Sequence, residues 1–277
     1  MNLLLRRKII NIIVSILFGI AVILAVFPLL SIVWYILIQG IKGINIDFFT
    51  KLSTPVGIPG GGMANAIMGS LQLVVISSLI SIPVGIAVGV YLSEYGRNKL
   101  ASMIQFMTNV LSGVPSIVVG LLVYSTIVLL MGRFSALSGG IALAIIMLPL
   151  IIRTTEQALR LVPHSYREAA YALGATESQT LFRIVLPAAS QGIITGILLA
   201  VARAMGESAP LLFTAFGSNF WNWDLTQPIA ALPLQLYVYA ISPYPEWHQQ
   251  AWAGALTLLI IVLVLNLTAR FIARKKS

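Results

Sequence analysis

Cysteine is absent from the 277 residues, which excludes disulfide staples and thiolate metal sites and leaves the redox compartment open. Charge is scarce: Asp, Glu, Lys and Arg make up 9% of the chain, against about 25% in a soluble domain. So little charge cannot cover a water-facing surface. Histidine is nearly missing, and His164 and His248 lie far apart in expected loops, so no metal centre is predicted. No Gly-x-x-x-x-Gly-Lys-[Ser/Thr] loop occurs, so the chain does not itself cradle ATP phosphates in that way and carries no expected cofactor. Internal repeats and low-complexity tracts are also lacking. What fills the sequence is apolar: 58% hydrophobic residues and a mean hydropathy of +0.96, in runs too long for a soluble core. The chain reads as a membrane protein.

A net charge of +9 invites nucleic acid as a partner. The basic residues argue against it, because they fall in short clusters between apolar runs, not on one stripe beside stacking aromatics. Spanning the hydrocarbon takes about 20 apolar residues in a helix. Six segments fit: Ile9–Ile38, Ile67–Leu92, Met103–Met131, Leu137–Ile152, Ala188–Phe216 and Ala251–Ala269. The fourth is the weakest, being short and followed at once by Arg153. Arg6-Arg7-Lys8 before the first run resembles a secretory leader, but the run is too long and lacks a small-x-small cleavage site, so an uncleaved first helix is expected.

Orientation follows from Lys and Arg. With six spans and the N-terminus inside, thirteen of the 17 face the cytoplasm: Arg6, Arg7, Lys8, Arg97, Lys99, Arg153, Arg160, Arg167, Arg183, Arg270, Arg274, Lys275 and Lys276. Lys42, Lys51 and Arg133 lie outside, and Arg203 lies within a span. Both termini are therefore predicted to be cytoplasmic, in an all-α architecture bathed in membrane lipid. Trp221, Trp223, Tyr237, Tyr239, Tyr244, Trp247 and Trp252 gather at the opposite side, as interfacial anchors do. Ile44–Gly62, with Pro55, Pro59 and three consecutive glycines, reads as an external loop.

The fifth span is two-faced. Gly196, Ala200, Arg203, Glu207, Pro210 and Thr214 recur at steps of three and four and share one helical face, while Ile194, Ile197, Leu198, Val201, Met205 and Leu212 share the other. Weaker stripes occur in the second span (Ser70, Ser77, Ser81, Gly85) and the third (Asn109, Gly113, Ser116, Gly120), with Pro83 and Pro115 interrupting each. These stripes suit either a hydrated path or close helix packing.

Arg203 is the sharpest candidate. An arginine at mid-bilayer costs about 2.5–3.5 kcal/mol on insertion scales. A salt bridge to Glu207, one turn on, offsets part of that, but apolar residues would make the helix tolerable more simply. A planar, fixed positive charge suits the path of an oxyanion. Glu207 either holds the guanidinium until substrate arrives or accepts a proton from it. The expected pathway set is Arg203, Glu207, Thr214, Asn109 and Ser116.

The longest cytoplasmic stretch, residues 154–187, carries two cap signals. Ser165-x-x-Glu168 is a capping box expected to start a short helix that Gly174 ends, and Thr176-x-x-Gln179 starts a second that should stop near Pro187. Ala169, Ala170 and Ala172 leave a smooth face, as an interaction module would.

Glu168-Ala169-Ala170, Gly174 three residues on and Ile184-x-Leu186-Pro187 after nine more resemble the EAA loop of ABC importer permeases at every defined position. That resemblance implies a coupling knob over residues 163–187 that seats in an ATP-hydrolysing subunit, in a type I importer permease fold of six spans. The stretches Ile82–Gly96, Asn109–Tyr124 and Ala202–Gly217 are similar to the PstA-type permeases of phosphate importers. The narrower resemblance implies a permease domain over residues 65–272, with 1–64 as a first helix and external loop and 273–277 as a basic tail. It also implies a second homologous permease (PstC-type), a dimer of ATP-binding subunits, an external phosphate-binding protein and the inner membrane of a prokaryote. The permease itself would do no covalent chemistry. Phosphonate, sulfate and molybdate remain alternative cargoes, since one arginine does not separate oxyanions. An ion-gradient carrier would need no knob, and an intramembrane enzyme would want a His–Ser set or paired carboxylates at depth that this chain lacks.

Overall fold

A computed structural model describes residues 3–55, 60–96 and 98–274. Arg97, Lys275, Lys276 and Pro59, which enter the charge and loop readings above, lie outside the described residues. Long apolar runs in a bilayer must bond their own backbone, and helices do so within a single segment. Eleven helices result among the described residues: α1 (Leu3–Gly43), α2 (Ile46–Thr50), α3 (Ala64–Glu94), α4 (Lys99–Gly113), α5 (Ser116–Met131), α6 (Ala136–Arg160), α7 (His164–Ala172), α8 (Glu177–Met205), α9 (Ala209–Leu212), α10 (Leu232–Ala240) and α11 (Pro245–Arg274). No strand occurs there, only one isolated bridge between Phe216 and Ile229. Helices α1, α3, α6, α8 and α11 are each long and apolar enough to cross a membrane. The pair α4 and α5, bent by 106° at Val114-Pro115, passes the same test together, which brings the candidate crossings to six when the pair is counted as one broken span.

Helix α6 is the hub, running against α3 along most of its length and against α8 on another side. The seam is tight because it is built from glycine: a Cβ on Gly85 would strike Ile151, one on Gly89 would strike Thr155, and one on Gly140 would strike Ile76. Small residues let backbones approach where lipid gives no hydrophobic drive. The second-span stripe resolves in favour of packing. Ser77 and Ser81 are fully buried in this seam, and Ser70 accepts a hydrogen bond from the Leu232 N–H at 2.7 Å. Helix α1 packs mainly on α11, with Tyr35 edge-on to Trp252 at 5.0 Å. The rest of its apolar length is exposed, as suits lipid contact.

Four expectations are corrected. The fourth span is not short: α6 runs through Arg153 to Arg160, because nothing between Arg153 and Pro163 breaks a helix. The fifth is not one continuous face, since α8 ends at Met205 and the chain turns at Gly206 before Pro210 starts α9. Proline 187 does not stop the second cytoplasmic helix. A wide π turn, Leu181–Val185, with Leu186 N–H bonded to Leu181 O, precedes it and absorbs the missing donor and crowded ring. The aromatic group also divides: Tyr239 is buried and stacked on Trp247 at 4.4 Å, while Trp221 and Trp223 are exposed.

Candidate functional site

Proline disfavours helical backbone in the residue before it, so Val114 is extended and the third span breaks there. The break opens a notch along the middle of α6. Ser112, Val114, Ser116, Pro149, Arg153 and Arg203 are among the residues lining a cavity of about 170 Å³. Ser116 is the first residue of α5, so the positive end of that helix dipole borders the same space.

Two guanidiniums reach the cavity. Arg153, from α6, donates through Nη2 to Asn109 Oδ1 of α4 at 2.7 Å. Arg203, from the last turn of α8, stands with Nε 3.7 Å from Glu207 Oε1, and its side chain is 54% exposed against 18% for Glu207. No hydrogen bond among the described residues engages the Arg203 guanidinium. A turn towards the basic end, Glu156 is buried, accepts from Gln105 Nε2 at 2.9 Å and is ion-paired with Arg160 Nη2 at 2.7 Å. Polar groups of α4 and α6 thus form a ladder leading from the cavity.

The structure brings Arg203 and Ser116 together at this cavity, with Asn109 joined through Arg153 and Glu207 beside Arg203. Thr214 does not reach it. It is fully buried, its hydroxyl donates to Pro210 O at 2.8 Å, and its carbonyl accepts from Ser138 Oγ and the Ser135 N–H. Once α8 breaks at Gly206, Thr214 falls off the face it was expected to share. Gly196 and Ala200 pack inward, Gly196 against Thr154 of α6. Arg153 was placed at the membrane edge by the sequence reading. The signal that finds it is Ile146, Pro149 and Arg153 at helical spacing, continued by residues that extend the helix.

The second locus is the knob at the basic end. Helix α7 starts at His164 with Pro163 at its cap, so the Ser165 box does not form: proline's fixed φ sets the start instead. Gly174 has φ +80°, a left-handed turn that suits glycine, and its N–H bonds Tyr171 O at 2.9 Å. The second box does form, with Gln179 N–H donating to Thr176 Oγ1 at 3.3 Å and the Thr176 N–H donating to Gln179 Oε1 at 3.0 Å. Glu168, Ala169, Gly174 and Pro187 are exposed, Ala170 is buried, and Ile184 and Leu186 are half-buried. Around them Tyr166, Leu173 and Phe182 are exposed, Leu173 at 89%, an apolar patch of the kind that marks an interface.

Residues 81–277 match the family described as binding-protein-dependent transport system inner membrane component. The chain belongs to this family of ABC importer permeases and is a multi-pass inner-membrane protein. Within it the chain is 48% identical over 255 residues to the phosphate transport system permease protein PstA of Yersinia pestis, covering 91% of this chain and 86% of the relative. It is 44% identical over 259 residues to the protein of the same name from Haemophilus influenzae, covering 93% and 92%. A solved bacterial alginate ABC transporter, in complex with an alginate pentasaccharide-bound periplasmic protein, shares the fold at a TM-score of 0.69 and 15% identity, covering 99% of this chain and 97% of that one.

Proposed function

We propose that this chain forms one half of the path by which inorganic phosphate crosses the membrane in an ATP-driven importer. The observation that carries the reading is the convergence of Arg153 and Arg203 on one cavity at the broken third span. An arginine exposed along a membrane span is costly unless water or a partner covers it. Glu207 meets Arg203 through Nε alone at 3.7 Å and leaves the other donors of the guanidinium open, so that open side belongs to a hydrated passage closed by a second, homologous permease. Two fixed guanidiniums, the Ser116 hydroxyl and a helix N-terminus together match an oxyanion's charge and its several acceptor oxygens. Asn109 aims Arg153. Glu207 holds Arg203 loosely and yields it when the anion arrives.

The permease domain spans 65–272, after a first helix and loop (1–64) and before a basic tail (273–277). Both termini face the cytoplasm. Hydrolysis of ATP belongs to a separate dimeric subunit, on which residues 163–187 dock, with Glu168, Ala169 and Gly174 exposed for contact. An external phosphate-binding protein delivers the cargo, and rigid-body switching between two packings alternates access. The 44–48% relatives named for phosphate transport support the cargo. The test is competition for radiolabelled phosphate uptake in vesicles holding the whole transporter. Sulfate and phosphonate in excess should leave uptake largely intact, and strong inhibition by sulfate would overturn the cargo while sparing the fold.

A further inference from the structure

The knob is joined by chain only to α6, through residues 161–163, and to the rest of α8, into which its second helix runs unbroken past Pro187. Helix α3 has no covalent link to it. Even so, Glu94, the last residue of α3, accepts a hydrogen bond at 2.9 Å from Arg167 Nη2, in the middle of α7. Both side chains are largely covered, at 13% and 21% exposure. The same guanidinium donates to Val162 O at 3.2 Å and Leu159 O at 3.5 Å, so it also caps the carbonyl end of α6. Tyr95, the residue after α3, lines a small pocket together with Arg167 and with Glu177, in the first turn of α8. The Glu177 carboxylate holds the Tyr95 hydroxyl above the ordinary tyrosine range, consistent with a close contact.

The end of α3 therefore holds α7 through Arg167 and lies beside the start of α8 at Glu177. The link from α6 to α7 is a short turn, and α7 meets α8 at a second turn with glycine in a left-handed conformation. These turns allow α7 to pivot. The Arg167 contacts do not. Because α3 and α6 close on each other through glycines, a push on the knob that reaches α3 also carries α6, and with it Arg153.

We propose that Arg167 and Glu94 are positioning residues that convey movement of the docked knob into α3 and α6. This rests on the reading that residues 163–187 seat in an ATP-hydrolysing subunit. Function distinguishes the pair from an ordinary ion pair: it should govern how much phosphate moves per ATP consumed, not whether the complex assembles.

The experiment uses the complete transporter, purified with its ATP-binding subunit and reconstituted, with phosphate uptake and ATP hydrolysis measured in the same vesicles. Arg167→Ala should retain the ATP-binding subunit and its hydrolysis while phosphate moved per ATP falls by about tenfold, within the range of ordinary site–site coupling. The exchange of both charges, Arg167→Glu with Glu94→Arg, should recover a good part of that ratio. An unchanged ratio in Arg167→Ala, a parallel fall of uptake and hydrolysis at constant ratio, or an exchange no better than the single variant would each overturn the proposal. Should Arg167→Ala lose the subunit, Glu94→Gln, which keeps the shape and an acceptor, decides by the same ratio. If the unaltered chain fails to hold the subunit through 163–187, the docking reading fails first. If it holds and the ratio is unmoved, the clamp alone fails.

Discussion

Helix α6 carries polar residues on two faces, and the faces do opposite things. Toward α3 it meets Ser77, Ser81, Gly85 and Gly89 in a closed seam where hydroxyls are buried and backbones nearly touch. Toward α4 it projects Arg153 and Glu156, which reach Asn109 and Gln105 across a gap that opens into a cavity. Small polar groups let helices close, whether bonded, as Ser77 is to Val74 O, or without a partner, as at Thr155. Long ones bridge α4 and α6, and Arg153 lines the cavity beside them. In this chain, side-chain length and charge, more than polarity as such, separate the cavity-lining face of α6 from its packed face.

The sharpest way to break that comparison is to remove a guanidinium from the open face. Arg203→Ala and Arg153→Ala should each reduce phosphate uptake by about 100-fold or more, equivalent to the ~3–4 kcal/mol that one aimed donor supplies to a developing or desolvated anion. Protein abundance in the membrane and co-purification of the ATP-binding subunit should be retained. Normal transport by either variant would remove it from the path. On the closed face the expected lesion is different in kind. Gly140→Leu drives a side chain into Ile76, and overpacking of about 1–3 kcal/mol should lower folded protein in the membrane severalfold. Uptake per folded molecule should stay constant. A variant that folds normally but transports poorly would put the seam in the path.

Much of this was legible. Arg203 and Glu207 stand out because a charge inside an apolar run has few innocent explanations, and the Glu168 to Pro187 spacing marks the knob. Gly174 and the Thr176 box do what local chemistry predicts. The misreadings share a cause, because each turned on context that a short window of sequence does not show. Arg153 ends an apolar run, so counting charges puts it at the membrane edge; only the partner on α4 shows it lies within the bundle. Pro187 ordinarily ends a helix, and only the π turn before it permits continuation. Pro115 announces a break but not a bend of 106°, which depends on α5 packing against α9.

At the knob the comparison concerns shape alone. Gly174 has open space around it, so a Cβ there meets no neighbour, and only its φ of +80° resists substitution. Gly174→Val should cost more than the ~1–2 kcal/mol of an ordinary left-handed residue, because its side chain is branched. Uptake should fall severalfold through weaker capture of the ATP-binding subunit, and Gly174→Asn should lose less. Equal losses for both would mean that side-chain bulk at the interface, not backbone conformation, is what matters.

The smallest effect is expected on the closed face of α6 at Thr155. Its side chain is fully buried beside Gly89, and its hydroxyl finds no hydrogen-bond partner among the described residues. A buried hydroxyl without a partner carries a desolvation cost of about 1–3 kcal/mol, which a methyl of the same shape does not. Thr155→Val should therefore leave uptake within about twofold and keep or slightly raise the thermal midpoint of the purified protein, whereas the neighbouring Glu156→Gln should lower uptake by weakening the ladder to Gln105 and Arg160. If Thr155→Val proved as damaging as Glu156→Gln, hydroxyls on the α3 face would belong to the path, and the division of α6 into a packing face and a working face would be lost.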